Sequence, residues 1–182
     1  MKKLISLTLS AALCLGLFAG CGKQSAPVTT ETTAPAYASS LEVLEKVWAT
    51  FPEEDRFPAA GGDESHDTTD GPGAFDINAY GESFRYQTLV DENLTGKLTG
   101  DAATLIHMMN TNTFCSAVME LKNAGEASSF AEVYKEIVQG NHWMCGFPDT
   151  LVVLSLGNFV LTAYGADDLI QLFKSGAQSL GA

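Results

Sequence analysis

Few side chains in this protein are suited to chemistry, and four stand out: His107, Cys115, His142 and Cys145. They are the residue types of a zinc site, which gathers nitrogen and sulfur ligands in a tetrahedron. Their spacing matches no pair-of-pairs pattern, so neither a metal nor another cofactor is expected. Cys115 and Cys145 leave three readings open. They form a disulfide across about 30 residues, contributing on the order of 3 kcal/mol. They stay as two buried thiols, which the residues favour. Or Cys145 acts as a reactive thiol, and the chain serves exported peptides through it.

Around Cys145 the run Trp143-Met144-Cys145-Gly146-Phe147-Pro148 is similar to the Trp-Cys-Gly-Pro-Cys of thioredoxins. It lacks the second cysteine, and a strand follows instead of the helix that lowers a thiol pKa. His142, Trp143 and Phe147 are expected to contact a ligand from a surface loop. Hydrolytic chemistry finds no foothold. There is no Gly-x-Ser-x-Gly elbow, no carboxylate pair that can be nominated and no phosphate-cradling loop. No catalytic residue is therefore expected.

The segment 53–76 holds Asp63, Glu64, His66, Asp67, Asp70 and Asp76 among glycines. Its oxygen density suits calcium, yet the EF-hand spacing is missing, and a solvated loop is expected.

These side chains need elements to hold them. Ser39 with Glu42 forms a capping box for a helix with Leu41, Leu44, Val47, Trp48 and Phe51 on one face, ended by Pro52. Residues 74–99 break every period and read as short turns of helix and irregular chain. Asp101 reads as the cap of a helix to Met109, with Leu105 and Ile106 inward. Phe114 to Lys122 alternates as a half-buried strand. Ser129 with Glu132 opens another helix. Two apolar runs, 150–156 and 159–164, flank Gly157-Asn158 as a hairpin. Asp167 caps a last helix carrying Leu169, Ile170, Leu172 and Phe173.

The expected fold is α+β: a small three-stranded mixed sheet of order 1-3-2 with helices on one face, partly ferredoxin-like. With the third strand between the other two, Cys115 and Cys145 stand too far apart for an easy disulfide. A fold of this kind hosts many functions and implies none.

The N-terminus fixes the address. Lys2 and Lys3, an apolar run to Phe18, and Ala19-Gly20 before Cys21 have the pattern of a lipoprotein signal, with Cys21 acylated and the first residue of the mature chain. Residues 1–20 are then the leader, 21–38 the acylated cysteine and a Thr/Pro/Ala-rich tether, and 39–182 one globular domain. Two acyl chains give stable attachment, so the expected location is the outer face of the cytoplasmic membrane. Of ten basic and 22 acidic residues the leader removes two lysines, leaving a formal charge of −14. That balance excludes nucleic acid as a partner and leaves an envelope protein or peptide.

The Leu41-to-Trp48 helix, Phe57-Pro58-Ala59-Ala60-Gly61-Gly62-Asp63, the stretch His107 to Phe114 and the stretch Gly140 to Pro148 together resemble small surface lipoproteins of anaerobic Gram-positive bacteria. Some of these are labelled bacteriocin transport accessory proteins. That label implies a thioredoxin-like role in peptide export, from which this sequence departs by having no Cys-x-x-Cys pair. No site residue carries over. The leading expectation is a non-enzymatic, lipid-anchored surface domain that binds an envelope component or exported peptide.

Overall fold

Helix α1, Ser40–Ala49, begins where the Ser39 hydroxyl accepts a hydrogen bond from Glu42 N. Its Val43, Leu44, Val47 and Trp48 are buried on one face. The computed structural model to which it belongs describes residues 37–109, 113–141 and 150–182. Seven strands follow α1 in chain order: β1 (Ala59–Gly61), β2 (Thr68–Thr69), β3 (Gly73–Asp76), β4 (Leu98–His107), β5 (Phe114–Leu121), β6 (Thr150–Leu156) and β7 (Phe159–Gly165). Helices α2 (Ile77–Thr88) and α3 (Glu92–Thr95) lie between β3 and β4, α4 (Ala127–Gly140) between β5 and β6, and α5 (Asp167–Ser179) after β7.

The strands form one sheet of order β2-β1-β4-β5-β7-β6, with β3 also paired to β4, and every pairing is antiparallel. The expected three-stranded mixed sheet with helices on one face is therefore incorrect. The sheet has seven strands, and cores lie on both of its faces. On one face α1 and α5 pack Val47, Trp48, Ile170 and Phe173 against Leu105, Val118, Leu161 and Ala163. On the other, α2, α3 and α4 pack Phe84, Leu94, Phe130 and Tyr134 against Ala102, Cys115, Met119 and Val160. All residues of β7 are buried, which requires a helical layer on each side. Each fully buried side chain of Leu or Phe size contributes roughly 1.5–3 kcal/mol.

The largest correction is β4. Its residues 101–107 read as helix because Asp101 looks like a cap and the apolar run is short. Alternation is hidden when both faces of a strand are covered: Ala103 and Leu105 enter one core, Ala102 and Ile106 join the other. Asp101 caps nothing of its own. Its Oδ2 accepts from Ser40 N at 2.7 Å and its carbonyl from Ser40 Oγ, so it fastens α1 to the sheet. The segment 53–76 holds three short strands and a 3-10 turn in place of a loop. Gly61 and Gly73 lie back to back there: a Cβ on Gly61 would stand 2.4 Å from Gly73 N.

Two helix starts also differ. Ser129 sits inside α4, and its hydroxyl donates back to Glu126 O while the helix opens from a 3-10 turn at Ala124–Glu126. Asp167 is the first residue of α5, and its carboxylate accepts from Thr150 Oγ1 and Gln171 Nε2. Where α5 crosses α1, Gly176 lets the backbones meet. A Cβ there would be 2.4 Å from Thr50 Oγ1 and 3.2 Å from Val47 O.

Candidate functional site

Cys115 lies on the face of β5 covered by α2 and α4, and it is a free, buried thiol. Its Sγ donates to Gln87 O at 3.1 Å, and Tyr164 Oη donates to the same oxygen at 3.3 Å. Burial pushes the thiol pKa up to about 12, against a smaller opposing effect of the Tyr164 hydrogen bond. A thiolate is the nucleophile of sulfur chemistry, so this side chain is inert at neutral pH. The same burial pushes the Tyr134 and Tyr164 hydroxyls upward, and Tyr134 Oη donates to Thr88 O. These groups form a structural seam between α2 and the sheet.

The other sequence candidates fall in two sets. Cys21, His142, Trp143, Cys145 and Phe147 lie outside the described residues. His107 ends β4, stacks on Phe57 with centroids 4.7 Å apart, and accepts at Nδ1 from Met109 N. Burial lowers its pKa. Among the described residues no three His, Cys, Asp or Glu side chains come together as metal ligands. Calcium has no seat at Asp63, whose Oδ1 accepts from Ser65 N, His66 N and His66 Nδ1, and whose Oδ2 accepts from Asp76 N. Burial opposes the Asp63 charge, but those hydrogen bonds outweigh it and hold the carboxyl below its usual range. Asp63 pins β3 to the turn after β1.

What the sequence did not single out is the outer edge of β6. Its ladder can be phased from two bonds. Leu121 N donates to Asn158 O and Ala166 N to Thr113 O, one at each end of the β5–β7 pairing. In an antiparallel ladder each residue bonds to one side only, and the side alternates along the strand. Even-numbered residues of β7 therefore bond β5, and Phe159, Leu161, Ala163 and Gly165 bond β6. Their register partners are Leu156, Leu154, Val152 and Thr150. Leu151, Val153 and Ser155 then turn their N–H and C=O groups outward, where among the described residues no strand meets them.

Natural edge strands are blunted by lysine, proline, bulges or shortness. The far edge of this sheet ends in β2, which is two residues long. β6 reads Thr-Leu-Val-Val-Leu-Ser-Leu, with no charge, proline or glycine over seven residues. Beside it, a cavity of about 160 Å3 opens between α4 and the strand, lined by Ala127, Ser128, Ala131, Val153, Leu154 and Ser155. The sequence marks 150–156 as a strand but carries no signal for which strand ends the sheet.

No described helix is long and apolar enough to cross a membrane. Among the described residues the fold and this edge define a class, a two-layered helical cover on an antiparallel sheet with one open apolar edge. No family model, no curated protein and no solved structure matches the chain.

Proposed function

We propose that the protein is a non-enzymatic domain, lipid-anchored at Cys21 on the outer face of the cytoplasmic membrane, that binds an extended segment of an exported peptide or envelope protein by adding it as a strand to β6. The observation that carries this reading is the uncharged edge, unpaired among the described residues, with outward N–H and C=O groups at Leu151, Val153 and Ser155. Backbone groups of this kind are matched best by another extended backbone, which supplies affinity while side-chain pockets supply selectivity. The thiol-dependent alternative places its thiol at Cys145, outside the described residues; Cys115 is closed in and protonated and offers no second one.

Amide hydrogen exchange tests the reading. With the uncharged peptide acetyl-Thr-Val-Thr-Leu-Thr-Val-Thr-amide as probe, the amides of Leu151, Val153 and Ser155 exchange fast in the free protein and slow on addition. Those of Val152 and Leu154 are slow throughout. Outward amides that stay fast at saturating peptide would sink the proposal.

A further inference from the structure

We infer that the cavity walled by Ala127, Ser128 and Ala131 of α4 and by Val153 and Ser155 of β6 is a specificity pocket, taking one uncharged apolar side chain of the strand that pairs with β6. This rests on the strand-addition reading above and adds the chemistry of the occupant.

Three observations converge on it. The first is phase. Leu151, Val153 and Ser155 are the odd-numbered residues of β6 and share one face, on which Leu151 and Val153 pack with the α4-side core, and they are also the residues whose backbone groups point outward. An added strand would hydrogen-bond at these positions. Directly opposite residues share a face, with Cβ atoms about 4.5–5.5 Å apart. The partner of Val153 or Ser155 therefore projects to the α4 side, where the cavity lies.

The second is size. About 160 Å3 is well below the roughly 300–1,000 Å3 of a small-molecule site. It suits one side chain of leucine or phenylalanine size.

The third is charge. Among the described residues no ionisable group lines the cavity, in a chain where charged residues number 32 of 182. Ala127, Ala131 and Val153 offer only apolar contact, and a buried charge without a partner is strongly disfavoured. A second copy of this chain is the less favoured occupant, because two copies each carry a formal charge of −12 or beyond and repel. The occupant is thus a neutral, extended peptide with one large apolar residue facing α4.

The test compares two peptides on the full mature chain in detergent: acetyl-Thr-Val-Thr-Leu-Thr-Val-Thr-amide, and the same peptide with its central leucine replaced by alanine. The pocket requires the leucine peptide to bind roughly ten-fold or more tightly. Ala131→Phe or, at the exposed rim, Ser128→Trp should fill the cavity and erase that preference while leaving the alanine peptide bound. Equal affinity of the two peptides for the wild-type chain overturns the pocket and leaves strand addition standing. So does a preference that survives both filled variants. If neither peptide binds, or if Val153→Pro leaves binding unchanged in a folded protein, strand addition itself fails and the pocket with it.

Discussion

The Cys115 thiol donates to the Gln87 carbonyl across 3.1 Å, tying the middle of the sheet to the last turn of α2. One of the two cysteines that the sequence offers as buried thiols is thereby a fastening. The partner oxygen also takes the Tyr164 hydroxyl, so two buried donors share one backbone acceptor. Such seams are satisfied only when the elements are docked, and they contribute about 0.5–1.5 kcal/mol per bond.

Reactivity follows from that burial. In a Cys145→Ala background, Cys115 should resist iodoacetamide in the native protein at pH 8 and react fully after denaturation. Its thiol pKa of about 12 leaves little thiolate at that pH. Cys115→Ala should lower stability by about 1–2 kcal/mol through the lost sulfur contacts and hydrogen bond. Rapid native labelling would show that the α2 seam opens.

Asp63 sets an acid limit on the fold. Its folded pKa lies below the unfolded value of about 3.9, so its contribution is fully present above that value and is lost as pH falls through the lower folded pKa. Asp63→Asn should cost roughly 2–3 kcal/mol at neutral pH, because an amide cannot accept at both positions from Ser65, His66 and Asp76. Urea melts from pH 7 to pH 2 should show the gap between wild type and variant narrowing below about pH 4.

The phase of β6 predicts an asymmetry between neighbours. Val152 N–H points at β7, and Val153 N–H points outward. Val152→Pro should therefore break a ladder bond and cost about 3 kcal/mol or more, whereas Val153→Pro should cost about 1 kcal/mol or less. Thermal denaturation of the pair reads the difference directly. Equal losses would mean that the phase is wrong.

The proposed lipid anchor at Cys21 can be tested separately from the domain. Cys21→Ala should leave the chain in the aqueous phase after detergent phase separation, where the wild type partitions with detergent. The circular dichroism of the domain should be unchanged, since residue 21 precedes every described element.

Local signals in the sequence located α1 by its Ser39 cap, the β6–β7 hairpin by Gly157-Asn158, and β5 by its period of two, although β5 is buried on both faces and not half-buried as that period implies. Each depends on residues within a few positions of one another. β4 escaped because both of its faces are covered, so its apolar residues form a continuous run. β1, β2 and β3 escaped because strands of two to four residues show no period, and their cohesion comes from β4 and from Asp63.

Sequence alone determined the acidic balance, the basic-apolar-Ala-Gly-Cys pattern of the first 21 residues and the uncharged character of β6, because each is a property of composition or of adjacent residues. Only the tertiary structure decided that Cys115 is shut away and that, among the described residues, β6 is the strand left open. Strand order and burial arise from contacts between residues far apart in the chain, and no local pattern encodes which edge finds no partner.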